Sequence, residues 1–148
     1  MRHLLRALLC LPLLVGGSLL VAPSASAATT VKIDFVYFDS PGSDTGSNSS
    51  LNAEYVTLKN VTSKARTITG WTLRDKTGYT YRFPTFTLKA GASVKVRTGK
   101  GTASSYNRYY NFTWYVWNNA GDTAYLKNAS GTTVDTCTWT SAGSTKDC

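Results

Sequence analysis

The chain has 148 residues, with sixteen Lys and Arg against eight Asp and Glu and a formal net charge of +8. Its single His is His3 and its single Met is Met1, so no His-based triad, general base or metal site can form in the rest of the chain. That length suits one domain with its own core.

Residues 1–27 read as a secretory signal. Arg2 and Arg6 give a positive start, the run from Leu8 to Val21 is apolar, and Ala25-Ser26-Ala27 is a small-residue cleavage site. As a membrane anchor the apolar run is short and is broken by Pro12 and Gly16-Gly17. Lipid attachment at Cys10 is disfavoured because Leu9 precedes it. Cleavage leaves residues 28–148 as one secreted domain without a membrane span, expected to be monomeric. Loss of Arg2 and Arg6 reduces the charge to +6. Cys137 and Cys148 then remain as an even pair, which in an exported chain favours an intramolecular disulfide over free thiols or a bridge to another chain.

Val31 to Phe38 is expected to be the first strand, with Ile33 and Phe35 toward the core and a bend near Phe35, because Val36 and Phe38 carry the apolar pattern on the other parity. Ser40 to Asn52, rich in Gly, Ser and Asx, reads as a long loop without periodicity. The stretch 51–75 organises the chain. In its first strand Glu54, Val56 and Leu58 share one parity, which points the Glu54 carboxylate toward the core. In its second strand, 66–74, the apolar parity switches at Gly70, a bulge or sharp bend. Trp71 is the expected centre of the core. Asp75 to Gly78 has hairpin-turn composition, and Tyr79, Tyr81 and Phe83 alternate up to Pro84. Val94 and Val96 face inward, with Lys95 and Arg97 outward.

Thr98 to Thr102 lacks the first Gly and the Ser/Thr of a phosphate-binding loop and reads as a flexible turn. Seven aromatic residues crowd 104–118, and some must cover an open end of the fold. Trp117 and Trp114 are expected to serve core and rim packing rather than ligand stacking. Tyr109 and Tyr110 are adjacent, so at least one should face water. Ala124 and Leu126 mark the next inward-facing strand, and Thr132 to Trp139 the last. Many short strands without helical periodicity predict an all-β sandwich.

Several of these segments carry a resemblance. Glu-Tyr-Val-x-Leu-x-Asn at 54–60 is followed by Gly-Trp-Thr-Leu-x-Asp at 70–75, Phe83, the Leu88-Lys89-Ala90-Gly91 turn and Val94-Lys95-Val96. After these come Trp117-Asn118-Asn119-Ala120-Gly121-Asp122 and Ala129-Ser130-Gly131 before Val134-Asp135. In this order they resemble the lamin tail domain, over roughly residues 31–139. The resemblance implies an immunoglobulin-like β-sandwich, a fold that ends nuclear lamins and recurs as a module in secreted bacterial proteins, and it supplies no catalytic residues.

Function is less legible. Ser and Thr are abundant, but no base stands ready to activate one. Asp39, Asp44 and Glu54 could in principle pair as the carboxylates of a hydrolase, yet they border a turn-rich loop. The expected role is therefore a non-catalytic interaction or adhesion module for an extracellular polymer (polyanion, nucleic acid or polysaccharide) or a protein. Lys59, Arg82, Lys95, Arg97 and Lys127 would carry polyanion binding, against the alternative of a solvated face, and Tyr109 and Tyr110 are the stacking candidates. The other reading is a structural scaffold stabilised by calcium, held by Asp39, Asp44, Asn48, Asn52 and Glu54 in a segment without Lys or Arg, against the alternative of an Asx-turn-rich loop with Glu54 accepting backbone N–H bonds.

Overall fold

The computed structural model describes residues 29–148; the expected export signal, with Cys10, lies outside the described residues. Strands β1 (Val31–Tyr37), β2 (Tyr55–Asn60), β7 (Ser93–Arg97), β8 (Asn107–Tyr109) and β11 (Thr145–Asp147) form one sheet in the order β11-β1-β2-β7-β8. Strands β4 (Thr72–Arg74), β5 (Thr80–Arg82), β9 (Gly121–Lys127) and β10 (Thr133–Thr140) form a second in the order β10-β9-β4-β5. Short strands β3 (Arg66–Thr67) and β6 (Thr87–Leu88) pair by themselves.

The two larger sheets enclose one core. From β1, β2 and β7 come Val31, Ile33, Val36, Val56, Leu58, Val94 and Val96, all fully buried. From β4 and β9 come Leu73, Ala124 and Leu126. In β2, β4, β7 and β9 these follow the period-2 alternation of the strand, as one buried face requires. In β1 the register shifts between Ile33 and Phe35. The bend anticipated there is thus a bulge, and it turns Phe35 outward, contrary to expectation. Phe35 instead joins Tyr37 and Tyr55 on the outer face, with centroids 5.8–6.4 Å apart.

Three further expectations are corrected. The 66–74 stretch is two strands in two sheets. Gly70, at φ 76°, makes the break, and Trp71 N–H donates to the Ile68 carbonyl at 3.1 Å. That break leaves Trp71 half-buried at the margin of the core. The largest fully buried side chain is Trp117, packed edge-to-face on Trp139 and Tyr110, while Trp139 stacks on Phe38 at 5.2 Å. The Ser40–Asn52 stretch contains a helix, α1 (Asn48–Ala53), capped by Ser47, whose side chain accepts from Ser50 N–H. Fewer than two turns with one buried residue, Leu51, leave no periodicity to read.

Cys137 and Cys148 are bonded. Cys137 lies on β10, at one edge of the four-stranded sheet, and Cys148 follows β11, at one edge of the other. The bond therefore ties the two sheets together and holds the polar tail along β1.

Candidate functional site

Cross-strand pairing decides which basic residues share a surface. Tyr55 lies opposite Arg97, Thr57 opposite Lys95, and Lys59 between Lys32 and Ser93. Their side chains therefore stand together on the outer face of the five-stranded sheet. Lys95 Nζ sits 4.2 Å from the centre of the Tyr55 ring, and the Arg97 guanidinium 5.2 Å from it. Arg97 Nε donates to Asn107 Oδ1 at 2.8 Å and Nη1 to the Asn52 carbonyl, so its plane is fixed. Lys95 and Arg97 border a shallow hollow together with Thr57, Asn107 and Tyr106, whose ring is 72 % exposed. Among the described residues the one ion pair is Lys32–Asp34, at 2.8 Å, which leaves the positive charge of Lys59, Lys95 and Arg97 uncompensated by contact carboxylates.

The other two predicted basic residues are elsewhere. Arg82 and Lys127 flank Thr72 on the four-stranded sheet, and Arg82 Nη1 donates to the Gly70 carbonyl at 2.8 Å. In a two-sheet sandwich the outer faces look in opposite directions, so these two belong to a different surface.

The stacking candidates also divide. Tyr109 is half-buried, its ring so close to Gly101 that a Cβ there would come within 2.3 Å. Tyr110 is in the core, its hydroxyl donating to the Leu73 carbonyl at 2.9 Å, and burial drives its ionisation well above the ordinary range. Tyr110 therefore cannot serve as a surface platform. The exposed rings are Tyr106, Trp114 and Tyr79; of the two residues expected in core and rim packing, Trp117 is in the core and Trp114 is exposed. Aromatic residues of both parities between 112 and 117 were the one available signal, since a single buried face cannot take them all.

The expected calcium ligands do not gather as one set. Asn48 and Asn52 both donate to the Lys100 carbonyl, at 3.0 and 2.8 Å, and Asn48 Oδ1 accepts from Lys100 N–H, so they brace the 98–102 turn that sequence alone left flexible. Asp39 and Asp44 share the amide of Asn119, at 2.9 and 3.3 Å. Among the described residues no group of three or more His, Cys, Asp or Glu side chains is disposed to hold a metal.

Glu54 is buried, as its parity indicated. Its Oε1 accepts from Val116 N–H at 2.9 Å, Trp117 N–H at 3.3 Å and the Thr98 hydroxyl, while Oε2 has no partner. Loss of solvation outweighs these hydrogen bonds and pushes its pKa up to about 7. Its hydrogen bonds come from backbone and hydroxyl donors rather than from Asp39 or Asp44, and the Asp44 charge adds a smaller upward push.

Two aspartates not singled out from sequence organise neighbouring turns. Asp75 accepts from Gly78 N–H and Tyr79 N–H, both at 2.6 Å. Asp122 accepts from Lys76 N–H, Asn118 N–H and Thr123 N–H at 2.7–3.1 Å. Each carboxylate satisfies turn N–H groups that the sheets leave unpaired.

Strand order, a core shared between two sheets and the motif residues within it define an immunoglobulin-like β-sandwich. The family model described as Lamin Tail Domain matches residues 24–141, and the chain belongs to that family. A search of curated proteins finds no match.

Proposed function

We propose that this chain is an exported, non-catalytic binding module, and that the outer face of its five-stranded sheet holds a polyanion, with single-stranded nucleic acid the favoured occupant over other anionic polymers. The observation that supports this reading is the interleaving of Lys59, Lys95 and Arg97 with Tyr55 and the exposed Tyr106 on one face. Cations neutralise phosphates, and an exposed ring beside them offers a base somewhere to stack without sequence readout. The absence of His from the rest of the chain, the engagement of Glu54 by backbone and hydroxyl donors and the non-catalytic character of the family support the non-enzymatic part.

The test is oligonucleotide binding across a salt series. Lys95→Ala with Arg97→Ala should weaken binding and lower the salt slope by roughly 1.4, and Tyr106→Ala should weaken it without changing the slope. Equal binding by Arg82→Ala/Lys127→Ala and by the wild type is expected. Loss of binding only in that second pair would move the site to the opposite face, and no binding at low salt would make the basic face a solubility feature.

A further inference from the structure

A second surface has the opposite character. A cleft of about 410 Å³, within the range of small-ligand sites, lies where the 75–79 turn, the 114–119 segment and Asp44 meet. Its rim carries two exposed rings, Trp114 at 65 % and Tyr79 at 52 %. Trp114 is braced from one side. Its six-membered ring rests on Gly46, where a Cβ would come within 3.0 Å. Gly46 N–H donates to the Tyr115 hydroxyl at 3.3 Å, which is itself paired with Ser50 Oγ at 2.6 Å. The indole is thus held in place while most of its surface stays in water, which no core requirement explains.

Asp44, Asp75 and Asp122 line the same cleft, and no Lys or Arg lines it, in a chain with a net charge of +8. Asp75 and Asp122 are engaged by turn N–H groups, whereas Asp44 is exposed and meets only Ser40 and the shared Asn119 amide, at 3.4 and 3.3 Å. The local field therefore repels a polyanion and attracts a cation. A cation beside exposed aromatic rings gains further from their negative faces. The cleft also offers the Asn118 amide, the Asn119 side-chain carbonyl and, as an acceptor, the Thr77 hydroxyl that donates to Asp75, groups that an alkylammonium chain would leave unused but sugar hydroxyls would engage.

We propose that this cleft binds an amino-sugar unit of a polysaccharide in its ammonium form, with the C–H face of the ring on Trp114 and the ammonium group toward Asp44. The site is separate from the sheet face proposed for polyanions and does not depend on it.

The experiment uses protein expressed at full length and recovered from the medium, titrated with a β-linked glucosamine tetramer and with its N-acetylated counterpart, by tryptophan fluorescence and calorimetry. The glucosamine tetramer should bind at least about tenfold more tightly than the acetylated one, and Trp114→Ala should lose about tenfold. Asp44→Asn should narrow the preference for the free amine, while Lys95→Ala/Arg97→Ala should leave both affinities unchanged. The absence of saturable binding, or binding that Trp114→Ala does not weaken, would overturn the proposal. A tetra-lysine peptide binding as tightly as the glucosamine tetramer would also overturn it, in favour of a basic protein segment.

Discussion

Glu54 is the residue whose chemistry depends most on its surroundings. Burial raises its pKa from 4.5 to about 7. The folded state then holds a proton that the unfolded chain has lost, so the stabilisation from protonated Glu54 is complete below about pH 4.5 and disappears as pH rises through about 7. A shift of this size corresponds to at most roughly 3 kcal/mol. Melting temperature should fall between pH 5 and pH 8 in the wild type, and Glu54→Gln, neutral at both, should show a much smaller fall. An equal fall in both proteins would place the titration elsewhere. The inward aim of Glu54 was legible from its parity with Val56 and Leu58. Its partners were not, because Thr98, Val116 and Trp117 lie 44 to 63 residues away along the chain.

At the scale of elements, β10 and β11 show how a polar tail becomes structure. The segment 140–148 has no apolar pattern, and β11 is exposed throughout. Its pairing to β1, the Phe38 and Asp39 N–H groups that donate to the Ser144 carbonyl and the bond at Cys148 order it. Closing a loop of this length contributes roughly 2–3 kcal/mol. Cys137→Ser with Cys148→Ser should therefore lower the melting temperature by about 10 °C and expose Thr145–Asp147 amides to rapid hydrogen exchange, while β2 and β7 amides stay protected. If the β11 amides keep their protection without the bond, pairing to β1 alone orders the tail. The pairing of the two cysteines was readable from their even number in a chain expected to be exported, but the joining of two sheets required the strand order.

For the molecule as a whole, stability rests on the contact between sheets, and Trp117 is at its centre. Trp117→Ala removes a fully buried indole that touches Tyr110 and Trp139, at a cost of about 3–5 kcal/mol. That is a large part of the roughly 5–15 kcal/mol a domain of this size holds. Trp71→Ala, at a half-buried site, should cost clearly less, about 1–2 kcal/mol. Urea unfolding followed by circular dichroism compares the two, and an equal or larger loss at Trp71 would return the core centre to that residue. The distribution of charge is also a property of the whole fold: one sheet face collects cations and one end collects carboxylates, although neither group is contiguous in sequence.

Local rules reached far into this chain. Period-2 alternation placed Val56, Leu58, Val94, Val96, Ala124 and Leu126 in the core, and the parity switch at Gly70 marked a real break, because a strand with one buried face imposes that pattern residue by residue. Ordered motifs then identified the family. What alternation could not reveal was which residues meet across strands. The grouping of Lys95, Arg97 and Tyr55, the burial of Tyr110 beside a half-exposed neighbour and the exposure of Trp114 all depend on pairing between segments distant in sequence. Register and sheet order set those neighbours, and both are consequences of the packed core as a whole.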